Sequence, residues 1–140
     1  MFGTVVAAVE AVREAAAGAD PDALDGAGAL RLFQAGEEIE RLGAAIKVLA
    51  AGRLDETRAW KREGDRTAAH FVARTTGTTV KQAVDTLQMA RRVDRHGAIA
   101  ESMRAGELST VQAGAIAEAC AADPKRGINP ARAGVDRQCR

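Results

Sequence analysis

Lys81, Asp85, Gln88, Arg92 and Arg95 recur at helical spacing in "TVKQAVDTLQMARRVDR", so a helix beginning at Val80 carries them along one side. Gln82 and Met89 flank that stripe, and Arg91 adds a further cation. Arginine and lysine neutralise phosphates, whereas amide and carboxylate side chains read base edges. The set Lys81, Gln82, Asp85, Gln88, Arg91, Arg92 and Arg95 therefore has the chemistry of a surface laid on double-stranded DNA. On this expectation Lys81, Arg91, Arg92 and Arg95 contact phosphates, and Gln82, Asp85 and Gln88 face the bases. Asp85 works against it, because phosphates repel a carboxylate that neither accepts from cytosine nor pairs with Lys81 one turn earlier. The plainer alternative is a solvated charged face.

Other chemistry is poorly represented. Cys120 and Cys139 form no CxxC, and His70 and His96 stand apart from them, so the paired ligands of a structural zinc site are missing. There is no Ser/His/Asp or Cys/His arrangement and no phosphate loop. Carboxylates are not distinguishable from ordinary surface charge. The expectation is a non-catalytic chain without metal or cofactor.

The elements that must position the stripe follow from hydrophobic spacing. Val5, Val6, Val9 and Val12 define a helix over 4–17, and "GADPDALDGAG" is a loop with Pro21 and three aspartates available to cap. A long helix is expected over 29–57. In it Leu32, Ala35, Ile39, Leu42, Ile46 and Leu49 alternate in steps of three and four, the seam of a helix that pairs with its own domain or with a second copy. Leu32, Ile39, Leu42, Ile46 and Leu49 are accordingly candidate homodimer residues. "RAWKREGDR" reads as a charged linker anchored by Trp60. Thr67 precedes a short helix over 68–74, Gly77 supplies the turn, and Thr79 caps the helix from Val80, whose core face is Val80, Ala83, Val84, Leu87 and Ala90.

This unit, 64–93, is followed by a second over 98–121, with its turn at Gly106 and its cap at Ser109. Thr79-Val80-Lys81-Gln82-Ala83 aligns with Ser109-Thr110-Val111-Gln112-Ala113 at an offset of 30, and the turn glycines at 29. The second helix of the later unit, "TVQAGAIAEA", carries only Glu118 as a charge, so packing is expected there and readout in the first unit.

Charge is unevenly spread. Residues 1–52 hold four basic and eight acidic side chains (net −4), residues 53–95 ten and six (net +4), and residues 96–140 six and five (net +1). The basic excess falls on the first unit and its approach, the asymmetry a nucleic-acid surface requires.

Trp60, Gly64, Arg66, Thr67, Ala68, Ala69, Phe71, Ala73, Thr76, Gly77, Ala83, Leu87, Ala90 and Arg91, followed by "AGELSTVQAGAIA", resemble the domain of unknown function 222 (DUF222). This actinobacterial domain includes the 13E12 repeat proteins of mycobacteria. The resemblance covers roughly residues 28–120 and implies an association with DNA, since that domain usually precedes an HNH endonuclease domain. Neither His70 nor His96 sits in the histidine and metal-ligand cluster that such a nuclease needs, so nuclease activity is not carried over.

Together these readings give an all-α protein: one helical domain over 1–122, made of a long helix followed by two tandem helix-turn-helix-like units. The Gly/Pro/Arg-rich tail 123–140 is expected to be disordered, and a reading frame truncated or shifted near residue 123 is a further expectation. "MFGTVVAAVEAV" lacks a basic leader and meets Glu10 early, and no stretch approaches the roughly 20 apolar residues of a membrane span, so a cytoplasmic location away from membranes is expected. The leading functional expectation is a DNA-binding module. The alternatives are a helical dimerisation or interaction module and a remnant of a nuclease.

Overall fold

The computed structural model describes residues 1–122, which are all-α, with seven α-helices and no strand among them. The tail expectation for 123–140, and Cys139 with it, lies outside the described residues. The chain divides into two units, Met1–Gly36 and the residues from Glu37 onward.

In the first unit, α1 spans Phe2–Ala17 and buries none of its side chains. Asp20 then accepts the N–H of Asp22 at 3.1 Å across a single 3-10 turn, Pro21–Ala23. Asp25 accepts the N–H of Gly28 at 2.7 Å and so caps α2, Gly26–Thr57. Two loop aspartates thus cap as their composition suggested.

The second unit holds the core. Only Ala45, Val48 and Ala51 of α2 are fully buried. The linker expected after α2 contains one further helical turn, α3 (Ala59–Arg62). Beyond it α4 (Ala68–Thr76), α5 (Val80–Asp94), α6 (Gly97–Arg104) and α7 (Thr110–Ala122) follow with short connections. Two buried clusters result. One joins Ala45 and Val48 to Ala90, Val93, Ile99, Ala100, Met103, Ala113 and Ala117; the other joins Ala51 to Ala68, Ala69, Val72, Ala73, Ala83 and Leu87, with Trp60 packed against it. Helix α5 contributes to both. The small side chains let backbones approach: a Cβ on Gly52 of α2 would stand 3.5 Å from that of Ala90 on α5.

The core face of α5 differs from the expected one at its ends. Val80 is exposed and Val84 half-buried, while Val93 is only 1% exposed and continues the line Ala83, Leu87, Ala90. Val80 is the first residue of α5, whereas the extension of α5 to Asp94 brings Val93 against Ile99, Ala100 and Met103 of α6.

The repeat is visible in hydrogen bonds. Thr79 accepts the N–H of Gln82 at 3.2 Å, and Gln82 Oε1 accepts the N–H of Thr79 at 3.0 Å. Ser109 and Gln112 make the same reciprocal pair at 3.2 and 2.9 Å. The preceding helices end alike. Thr78 N–H donates to Ala73 O at 3.1 Å across Gly77, and Glu107 N–H to Ser102 O at 3.0 Å across Gly106. Both glycines are left-handed, at φ 69 and 74. They differ in surroundings: Gly77 is open, whereas a Cβ on Gly106 would meet Leu42 Cδ2 at 3.3 Å.

That difference sets an expectation. Gly77→Ala carries only the left-handed backbone penalty, about 1 kcal/mol, while Gly106→Ala adds a contact that Leu42 must yield to. Denaturant midpoints of the two variants are expected to fall further for Gly106→Ala. Equal shifts would contradict packing of α2 against the second turn.

Candidate nucleic-acid interface

Helix α5 places the expected stripe on its solvent side, and nearly every charged member is already engaged. Lys81 Nζ lies 3.3 Å from Asp85 Oδ2 one turn on. Arg91 reaches α2, where Nε and Nη2 both donate to Asp55 Oδ2, at 3.0 and 2.7 Å. Arg92 reaches α7 and donates to Glu118 Oε1 at 2.9 Å. Arg95 donates through Nε to the carbonyl of Arg91 at 3.2 Å. Gln82 is occupied in the capping box, so its amide oxygen serves the backbone. Gln88 is exposed. Six of the seven residues lie in α5 and Arg95 is its C-cap, yet two of the arginines brace α5 to its neighbours. Of the acids, Asp85 pairs with Lys81 as the spacing allowed, while Asp55 and Glu118 carried no expected role toward α5.

The candidate dimer seam is split. Leu42 and Leu49 are half-buried within the second unit, whereas Leu32, Ile39 and Ile46 are exposed. The physical reason is that α2 docks through Ala45, Val48 and Ala51, a stripe rotated from the seam toward its small residues.

Within residues 53–95, the cations not absorbed in this way gather at the elbow between α2 and α4. Arg58, Lys61, Arg62 and Arg66 are all exposed and take part in none of the ion pairs among the described residues. The elbow is pinned at three points. Trp60 packs on the second core cluster, as an anchor was expected to; Asp65 Oδ2 accepts from Arg74 Nη2 at 2.8 Å; and Thr67 caps α4 by accepting the N–H of His70 at 3.2 Å. Lys61 Nζ stands 5.4 Å from the Trp60 ring centroid. Arg58 has φ 52, the one non-glycine residue with positive φ among those described. Only the segment's net charge signalled this cluster in the sequence, because a linker has no period from which a face could be read.

The hydrogen bond from Arg74 is the largest influence on Asp65 and holds its carboxyl below the ordinary 3.8; the same bond holds the Arg74 guanidinium above its usual value. A groove of about 500 Å³ between α2, α5 and α6 is lined by Arg53, Asp55, Glu56, Arg91, Asp94, Glu101 and Arg104, charges of both signs that favour neither anion nor cation. No group of three metal-ligating His, Cys, Asp or Glu side chains occurs among the described residues, and no helix there is long and apolar enough to cross a membrane. Comparison with known protein families, curated proteins and solved structures returns no match.

Because the Asp65 pKa is lowered on folding, its contribution to stability is complete above the unfolded value of 3.8 and is lost as pH falls through the folded one. Wild type is therefore expected to be more stable than Asp65→Asn near neutrality, with the difference closing as pH drops below about 4 in chemical denaturation. A difference independent of pH across that window would contradict the Asp65–Arg74 assignment.

Proposed function

We propose that the chain is a non-catalytic, cytoplasmic helical module that binds double-stranded DNA through phosphate contacts. The observation that carries this reading is the placement of charge. The net +4 of residues 53–95 stands against the net −4 of residues 1–52, and Arg58, Lys61, Arg62 and Arg66 among its cations are exposed and outside the ion pairs of the described residues. Catalysis is outside the proposal. Base readout is left mainly to Gln88, since Gln82 caps its helix and Asp85 pairs with Lys81.

Fluorescence anisotropy of a labelled duplex, titrated with the full chain across a salt series, tests the reading. Expected is binding whose log affinity falls with log salt by about 0.9 per phosphate contact. Folded protein that fails to bind at low salt would retire it.

A second reading is supported by a separate observation. The unit Met1–Gly36 contains no buried side chain, yet it displays Phe2, Val6, Val9, Leu30, Leu32 and Phe33 to solvent. A helix of 16 residues is marginal in water without an apolar partner. On this reading a second copy of the chain supplies the partner, α1 and the start of α2 pairing with their equivalents, and Leu32 and Ile39 lie in the seam. Sedimentation equilibrium is expected to give a dimer that Leu32→Lys/Ile39→Lys converts to monomer. A monomeric wild type at every concentration would end this reading and leave DNA binding to be judged alone.

A further inference from the structure

We infer that the elbow Arg58–Arg66, rather than the charged stripe of α5, is the surface on which the DNA backbone rests; the inference deepens the proposed DNA binding and depends on it. The distinction turns on which cations are available. At Arg91 and Arg92 a carboxylate already lies 2.7 and 2.9 Å from the guanidinium, so an approaching phosphate meets a neutralised pair and an acid beside it. Displacing Asp55 or Glu118 would also release a brace between helices. Lys81 carries Asp85 with it.

Arg58, Lys61, Arg62 and Arg66 carry no such partner. Of the two acids within the segment, Asp65 is taken up by its hydrogen bond from Arg74, and Glu63 is exposed and pairs with none of the four. Lys61 and Arg62 stand at the end of α3, Arg58 precedes that helix as its left-handed N-cap, and Gly64, at φ 79, separates them from Arg66, so the four cations lie within nine consecutive residues. The anchoring by Trp60, Asp65 and Thr67 fixes this backbone before any ligand arrives, so little ordering is left to oppose binding.

Arg58 adds a sequence choice that packing does not account for. A left-handed position at the end of α2 favours glycine, yet a long cation occupies it, exposed and without a protein partner. A membrane is a poorer fit than a duplex. Interfacial binding needs aromatic or aliphatic side chains that enter the lipid, and Trp60 is committed to the core.

The test uses the full chain in two variants: an elbow variant, Arg58→Gly/Lys61→Gln/Arg62→Gln/Arg66→Gln, and an α5 variant, Lys81→Gln/Arg95→Gln. All six side chains are exposed, and thermal melts establish that both variants fold. Duplex anisotropy across salt is expected to show the elbow variant losing about tenfold or more in affinity, its salt slope reduced by up to about 3.6 for the four cations removed, while the α5 variant changes little. Arg58→Gly alone is expected to keep or raise the melting temperature while weakening binding. Wild type that binds, with the elbow variant unaffected or both variants weakened equally, overturns the elbow and leaves the DNA reading standing. Wild type that fails to bind the duplex overturns the DNA reading and the elbow with it. Capture on phosphatidylserine vesicles without duplex binding does the same and assigns the patch to lipid.

Discussion

Burial of the alanine-rich face of α5 is the constraint on which the second unit depends. Ala83 and Leu87 belong to one core cluster, Ala90 and Val93 to the other, so a single helix of 15 residues closes both. Large apolar side chains are scarce in either cluster. Ile99, Met103 and Val93 are the largest fully buried ones, and the remaining contacts come mostly from alanines and glycines that let helices approach closely. A core of this kind gains its energy from close approach rather than from area per side chain. It is sensitive wherever a Cβ is added, as at Gly114, where one would fall 2.9 Å from Met89 Cε.

The electrostatics follow from the same placement. Once α5 is central, its flanks face α2 and α7, and arginines on those flanks find Asp55 and Glu118. These partly exposed pairs stabilise modestly, and their main effect is to orient the helices. Cations on the elbow sit outside the packing and have no carboxylate opposite them. The division between bracing and available arginines is thus a consequence of topology, and it separates two groups that look equivalent as a run of basic residues.

Much of the architecture was legible in the sequence. Thr79 and Ser109 read as helix caps and Gly77 and Gly106 as the turns before them, because each motif is local and has few alternatives, although Gln82, read as facing bases, closes the capping box instead. The functional face was harder to read. Helical period told which side of α5 carries Arg91 and Arg92, but not that Asp55 and Glu118, 36 and 26 residues away, would be opposite them. The heptad line Leu32, Ile39, Ile46 likewise read as a seam, whereas Ala45, Val48 and Ala51 form the docking stripe, since period alone does not distinguish a face that a neighbour approaches closely from one that is merely apolar. Exposure of Leu32, Ile39 and Ile46, which packing within the chain leaves unused, came only from tertiary structure.

Native-state hydrogen exchange addresses the central role of α5 most directly. If α5 closes both clusters, its amides from Ala83 to Val93 exchange only through global unfolding, and α4 and α7 cannot stay protected once it opens. The slowest amides of α4, α5 and α7 are expected to share one opening free energy and one denaturant dependence. Amides of α5 that open by a smaller, local event while those of α4 and α7 remain protected would contradict it.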